Sequence, residues 1–347
     1  MVRKVITRIG LIGFGLAGRY FHAPLIAAAG MQLRAVVTSR MDEVRQSVPE
    51  ALVVASVTEL LARDDIDLVV VASPTGMHFA HAREALLSGR HVVVDKPLGL
   101  NAREAAALEE LASNAGRKLS VFQNRRWDGD FLTVRRLQGE GRLGDIGYFR
   151  ARWDRFRPQV VDRWRERAEP GSGVLFDLGA HLIDQALVLF GRPDWIQADV
   201  FAQRAGAVTD DGFEILMGKG ALRISLGASS LAASGDFRYS VHGSLGSFFK
   251  AGIDPQEDQL RSGMQPLEAE FGVEPRAGWG HLVDASDGTS ERVATECGRW
   301  LSFYARLRES LERGTPLPVA AAEARQTLEI IDAARRSSEQ GSRIELG

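Results

Sequence analysis

The chain has almost no cysteine, little lysine and no long apolar run. Cys297 is the single cysteine in 347 residues, which excludes an internal disulfide and a thiolate metal cluster. That usage points to a reducing compartment, and a cytoplasmic location is expected. Only five of the 43 basic residues are lysine (Lys4, Lys96, Lys118, Lys219 and Lys250), so a reaction that needs a titratable amine has few candidates. No apolar stretch approaches ~20 residues, so no membrane-spanning helix is expected. Net charge is −2, too small to draw nucleic acid or a membrane surface. The opening Met1-Val-Arg-Lys and the apolar run behind it look superficially like a secretion signal. Gly13, Gly15 and Gly18 within that run have another explanation.

What is present suits two globular domains: 347 residues, 45% hydrophobic and 25% charged. Arg8 to Ile12 reads as a short strand ending at Gly13-Phe14-Gly15-Leu16-Ala17-Gly18. Glycines at this spacing, between strand and helix, fit a dinucleotide site. The first permits the turn, the second lets a pyrophosphate approach the backbone, and the third lets helix pack on strand. The phosphates then meet free N–H groups at a helix start. Pro24 should interrupt that helix, giving a turn through Phe21-His22 and a restart near Pro24.

The next strand, Leu33 to Thr38, ends at Thr38-Ser39-Arg40. An NAD site places a carboxylate there for the ribose hydroxyls. A hydroxyl and a guanidinium suit a 2′-phosphate instead, so NADP is expected rather than NAD.

Strand and helix continue to alternate. A helix is expected over Val57 to Ala62, a buried strand over Ile66 to Ala72, a helix over Met77 to Ser88 and a strand over His91 to Val94. Asn101 then caps a helix to Ala115, with Glu104 at capping-box spacing, and Leu119 to Gln123 is the last strand of the series. Such units build a parallel sheet covered on both faces, with ligands beyond the strands' carboxyl ends. Gly13, Ser73, Lys96 and Gln123-Asn124 all fall there. The Rossmann domain is expected to span 1–124.

Two places carry candidate chemistry. Lys96 stands at a strand's carboxyl end, where its ammonium can bond a substrate hydroxyl and stabilise the alkoxide formed as hydride leaves; its position fits a surface-loop lysine equally. Asp177, His181 and Asp184 are spaced to share one helix face, with Leu178, Leu182 and Leu189 opposite. His181 can take a hydroxyl proton, and Asp177 can hold the substrate or orient the ring. The bland alternative is a salt-bridged surface histidine. Two such side chains with no third ligand are too few for a metal, so none is expected. His22 can line the site, whereas His78, His81 and His91 read as structural.

These residues resemble the Gfo/Idh/MocA oxidoreductase family. The likeness rests on the glycine loop, Phe21-His22-Ala23-Pro24-Leu25, Ser73-Pro74, His78, Gly89 to Pro97, and Asp177 with His181. It runs from about Arg8 to Leu346. Asn124 to Asp128, Asp154 to Pro158 and Asp254 to Glu257 bring it nearest to a bacterial NADP-dependent scyllo-inositol dehydrogenase-like branch. The resemblance implies a catalytic set of Lys96, Asp177 and His181. It implies a cofactor set of Gly13, Phe14, Gly15, Leu16, Ala17, Gly18, Thr38, Ser39, Arg40, Ser73, Pro74, Thr75, His78, Asp95, Lys96, Pro97 and Asn124. Arg125, Asp154, Arg155, Arg157 and Arg163 become candidates for holding substrate hydroxyls. Two departures stand out: Asp95 replaces the family's usual glutamate, and Thr75 a frequent asparagine.

The remaining 125–347 reads as an α+β domain with an open, mostly antiparallel sheet. A helix over Phe131 to Gly139 and a strand over Ile146 to Phe156 precede the His181 helix. Strands follow near Trp195 to Gln203, Gly212 to Met217, Ala221 to Ser230, Phe237 to His242 and Gly246 to Lys250. Leu222, Ile224, Leu226 and Ala228 alternate with Arg223, Ser225, Gly227 and Ser229, giving one apolar and one small polar face. By resemblance that second face pairs two or four copies of the chain. Residues 253–288 form a Gly/Pro-rich excursion, expected to be disordered or to gate substrate. Pro318 to Glu345 looks like the family's closing helix and strand, and the helix can return to the first domain. The basic stretch Arg152 to Arg167 reads as a substrate wall.

The leading expectation is an NADP-dependent dehydrogenase moving hydride at a carbinol carbon of a cyclic polyol or sugar. A reductase of a non-sugar substrate such as a dihydrodiol, and a non-catalytic NADP-binding regulator, are the alternatives. Polar side chains around the site would favour sugars, and an apolar wall would favour the dihydrodiol.

Overall fold

The computed structural model describes residues 7–235 and 237–347. Residues 1–6, Lys4 among them, lie outside the described residues. The chain divides into two compact units, one of residues 1–124, 256–271 and 299–325, the other of 125–255, 272–298 and 326–347. The first division falls between Asn124 and Arg125, and the later chain returns twice to the first unit. No helix among the described residues is long and apolar enough to cross a membrane.

In the first unit the strands are β1 (Arg8–Ile12), β2 (Gln32–Val37), β3 (Leu52–Val54), β4 (Leu68–Val71), β5 (His91–Asp95) and β6 (Leu119–Phe122). All pair in parallel, in the order β3-β2-β1-β4-β5-β6. Order reverses between β1 and β4, the switch point where this doubly wound sheet opens a crevice for a ligand. Leu68 to Val71 are fully buried, as expected of a strand covered on both faces. The Asn101 side chain accepts the Glu104 N–H at 2.9 Å, capping helix Ala102–Asn114, and the Glu104 carboxylate accepts the Leu100 N–H.

The expected break at Phe21-His22 is absent. A π turn over Ala17–His22 runs straight into helix Ala23–Ala28, and Ala23 N–H bonds to Gly18 O, five residues back. Pro24 sits in the first turn of that α-helix, where the missing N–H and the proline ring are tolerated.

Residues 253–288, expected to be disordered or to gate substrate, carry regular structure. Helix Gln256–Arg261 belongs to the first unit, and residues 280–284 form a sheet strand of the second. Helix Leu301–Arg313, unforeseen, buries Phe303, Tyr304, Leu307 and Ser310 along one stripe. In the first unit the Ser120 hydroxyl donates to Val319 O, and Arg325 Nε meets Glu109 Oε2 at 3.0 Å. The start of the closing helix, Ala321–Gln340, is thus held there.

The second unit holds β7 (Ile146–Arg152), β8 (Trp195–Phe201), β9 (Gly212–Lys219), β10 (Leu222–Ser229), β11 (Tyr239–Gly243), β12 (Gly246–Lys250), β13 (Gly280–Asp284), β14 (Ser290–Val293) and β15 (Ile344–Glu345). They form one sheet, ordered β14-β13-β12-β11-β7-β10-β9-β8-β15. Only β7 and β10 pair in parallel. Phe149, Phe213, Ile215, Ile224, Leu226 and Val241 fill its inner face, each worth roughly 1.5–3 kcal/mol of burial. The Phe149 and Phe190 rings meet at 5.2 Å, setting helix Ala180–Phe190 on that face. β7 ends at Arg152, four residues short of expectation. The chain beyond it keeps contact with β10, through Trp153 N–H to Gly227 O and Arg155 N–H to Ser229 O.

Candidate active site

Three local observations test whether the first unit fits a dinucleotide. Gly13 has φ +97°, and a Cβ there would lie 2.6 Å from Ala72 O. A Cβ on Gly18 would strike the Gly13 carbonyl oxygen, whereas one on Gly15 would meet nothing within 4 Å. The outer glycines are therefore required by protein packing, and the middle one faces open space, as pyrophosphate approach requires. Gln123 supplies the third: at the end of β6 its Oε1 is buried with no hydrogen-bond partner in the protein. These residues fit the group the glycine pattern implies. Gly13, Gly15 and Gly18 would hold the pyrophosphate, and bound nicotinamide would supply the hydride chemistry.

At the end of β2, Thr38 Oγ1 accepts the Arg40 N–H at 3.0 Å. The Arg40 side chain is exposed and lies 3.4 Å from Glu43, whose other oxygen accepts from Arg19 at 2.7 Å. No carboxylate stands at positions 38–40 themselves.

The other candidates of this unit differ in exposure. Leu16, Ser39 and Pro74 are exposed, while Phe14, Thr75 and Asn124 are buried. Ser73 Oγ lies 3.0 Å from His81 Nδ1. His78 is buried, with Nδ1 2.7 Å from Pro97 O and Nε2 2.8 Å from Ser73 O. Through these contacts it ties the exits of β4 and β5 together. Burial holds its pKa below the usual histidine value, although the Pro97 carbonyl and Asp95 oppose that. Lys96 is half-buried at the carboxyl end of β5, and its N–H donates to Asp95 Oδ1 at 2.8 Å. His22, expected to line the site, is fully buried against Phe122 and Tyr304.

In the second unit the expected acid–histidine helix opens with a π turn, Leu175–Gly179, and continues as Ala180–Phe190. Asp177 stands on the π turn and His181 in the first α turn, so the simple four-residue stacking does not apply. Asp177 Oδ1 meets Arg165 Nε at 3.2 Å and Oδ2 meets Arg155 at 3.6 Å. His181 lies against Trp153, ring centroids 5.8 Å apart. Arg125 and Arg155 lie over that same indole, at 4.7 and 5.4 Å. Asp184 does not join this group, because it faces Arg126. Leu178 and Leu182 are buried, and Leu189 is half-buried.

Trp153 therefore gathers His181, Arg125 and Arg155 in one place, while Arg155 and Arg165 bracket Asp177. Trp153 and Arg165 were not singled out by sequence, although both lie in or beside the basic stretch Arg152 to Arg167. Asp154 is turned into the sheet, accepting from Arg152 at 2.8 and 3.1 Å and from Ser229 N–H at 3.0 Å. Arg157 is exposed, and Arg163 pairs with Glu166. Arg204 donates to Arg157 O and Gln159 O and pairs with Glu166, which pins that loop.

A doubly wound nucleotide-binding unit joined to a sheet unit with this polar cluster defines a pyridine-nucleotide oxidoreductase. Family profiles agree: the NAD-binding Rossmann fold of the Gfo/Idh/MocA oxidoreductases matches residues 7–123, and their C-terminal alpha/beta domain matches 135–346. The chain belongs to that family and is an NAD(P)-dependent oxidoreductase. It is 42% identical to the uncharacterized oxidoreductase YdgJ of Escherichia coli over 326 residues, 94% of each chain. It is 40% identical to scyllo-inositol 2-dehydrogenase (NADP(+)) IolW of Bacillus subtilis over 348 residues, 99% of this chain and 97% of that one. The solved structure of the oxidoreductase yvaA from Bacillus subtilis superposes with a TM-score of 0.97 at 40% identity, covering 99% of this chain and 100% of that one.

Proposed function

We propose that this protein is an NADP-dependent dehydrogenase acting on a secondary alcohol, or the matching carbonyl, of a cyclic polyol or sugar of scyllo-inositol type. The observation that carries the reading is the polar character of the wall beside His181. Arg125 and Arg155 lie over the Trp153 indole beside His181, and Arg155 and Arg165 pair with Asp177, so charged donors and an acceptor suited to hydroxyls gather there. The activity named for the Bacillus relative agrees with it.

The residue roles follow from chemistry. Lys96 donates to the reacting oxygen and stabilises the developing alkoxide. His181 accepts the hydroxyl proton, and returns it in the reverse direction. Asp177, with Arg155 and Arg165, orients the neighbouring hydroxyls. Arg40 and Thr38 select the 2′-phosphate of NADP. When bound, nicotinamide would supply the hydride acceptor for the carbinol carbon.

The test is to incubate the pure protein with NADP or NAD and a panel of inositols and aldoses, following reduced-cofactor absorbance. Turnover with NADP and at least one inositol, lost in His181→Ala, is expected. Tight NADP binding with no turnover on any substrate would overturn it.

The outer face of the second sheet, with Tyr148 and Leu216 partly exposed, is proposed to pair with a second copy of the chain. Sedimentation of wild type and Leu216→Glu tests this: a wild-type oligomer and a smaller variant species are expected, and a wild-type monomer would end the idea.

A further inference from the structure

We propose that Tyr304, His22 and Asp95 form a buried positioning chain behind Lys96, in which the tyrosine fixes the imidazole tautomer and the imidazole orients the carboxylate that holds the Lys96 backbone. It rests on the reading of Lys96 as the group that polarises substrate. All four residues lie in the first unit.

The geometry runs in one line. Tyr304 Oη lies 2.6 Å from His22 Nδ1, and His22 Nε2 lies 3.9 Å from Asp95 Oδ2. Asp95 Oδ1 accepts the Lys96 N–H at 2.8 Å. Tyr304 and His22 are fully buried, and Phe122 lies against the imidazole at 4.4 Å between centroids. Tyr304 comes from a helix 282 positions further along the chain, so no local constraint brings it here.

The direction of each bond follows from the groups. Burial first, and Asp95 second, push the Tyr304 phenol well above its usual pKa, so it keeps its proton and donates to Nδ1. With Nδ1 accepting from the phenol, the ring carries its proton on Nε2, the nitrogen that faces Asp95. The opposite tautomer would turn a lone pair toward a carboxylate. Burial alone would raise the Asp95 pKa, but His22, then Lys96 and His78, bring it below the usual value. Asp95 thus stays charged, opposite the Nε2–H. At 3.9 Å the last contact is an electrostatic alignment and not a hydrogen bond.

This arrangement gives Lys96 a fixed origin. Its N–H is anchored to a carboxylate that is itself aligned from behind, so the ammonium swings from a defined backbone position. Tyr304 and His22 touch no substrate in this scheme and act through Asp95.

The test uses the full chain labelled with ¹⁵N-histidine, with His22→Gln to assign the His22 signals. Long-range ¹H–¹⁵N correlations should show His22 as the Nε2–H tautomer, with that preference lost in Tyr304→Phe. On the inositol panel, Tyr304→Phe should lower kcat about tenfold, with substrate KM and NADP affinity little changed, as expected for a displaced polarising group. A His22 proton on Nδ1 in the native protein would overturn the chain. So would a Tyr304→Phe protein with altered tautomer and unchanged kcat. If no substrate turns over, the proposed function fails, and the tautomer measurement still decides the chain by itself.

Discussion

Arg126 donates two hydrogen bonds to Asp184, from Nε to Oδ2 at 2.8 Å and from Nη2 to Oδ1 at 2.7 Å, with both side chains buried. A bidentate pair taken out of water is costly to break from one side. Asp184→Ala is expected to lower unfolding free energy by about 3–5 kcal/mol, read from urea denaturation. Asp177→Asn, at a partly exposed carboxylate, should change stability far less and reduce turnover. Equal stability losses in the two variants would contradict this division of roles.

Gly18 and Gly15 of the nucleotide loop should respond differently to one methyl group. Gly18→Ala drives Cβ into a backbone carbonyl and should destabilise the first unit, lowering the melting temperature. Gly15→Ala meets no protein atom and should leave the melting temperature near wild type. The same variant should weaken NADP binding ~10-fold or more, measured by calorimetry, because the methyl group occupies the pyrophosphate's approach.

Arg40 and Glu43 offer a test of cofactor choice. Arg40→Ala removes the guanidinium proposed to bond a 2′-phosphate, so on that reading it should weaken NADP binding by roughly 10- to 100-fold while leaving NAD binding unchanged. Glu43 holds Arg19 and Arg40 through its two oxygens, so Glu43→Gln should release both guanidiniums and tighten NADP binding. Parallel titrations with NAD and NADP decide both.

Asp210 and Asp211 are neighbours with opposite titration behaviour. For Asp211 burial pushes the pKa up, but bonds from Gln203 and Arg204 win and hold it below the usual value. Its stabilisation is present above the unfolded pKa of about 4 and is lost as pH falls through the lower folded pKa. Asp210 is raised by burial, and the Leu175 N–H only partly offsets this. Its charged form is penalised in the folded protein, and acidification through the raised pKa relieves the penalty. Asp211→Asn should therefore cost more at neutral pH than below pH ~4, and Asp210→Asn should cost less at neutral pH than near pH ~4, both read from urea unfolding.

The local sequence determined the first sheet and its ligand loop. Leu68 to Val71 form an unbroken apolar run, Gly13, Gly15 and Gly18 a spaced trio, and Asn101 with Glu104 a cap; each signal is complete within a few residues. The alternation through β10 was legible for the same reason, since side-chain direction has period two. The stripe Phe303, Tyr304, Leu307 and Ser310 carries a readable helical period. Tertiary structure alone decided what the buried polar groups face. Asp184 meets Arg126 from 58 positions away, and His22 meets Tyr304 across 282. It also decided that Gln256–Arg261 joins the first unit and that Asp177 stands on a π turn. Periodicity records which side of an element is buried, but a charge or imidazole finds its partner only once distant segments pack, because the cost of leaving it unpaired exists only in the folded interior.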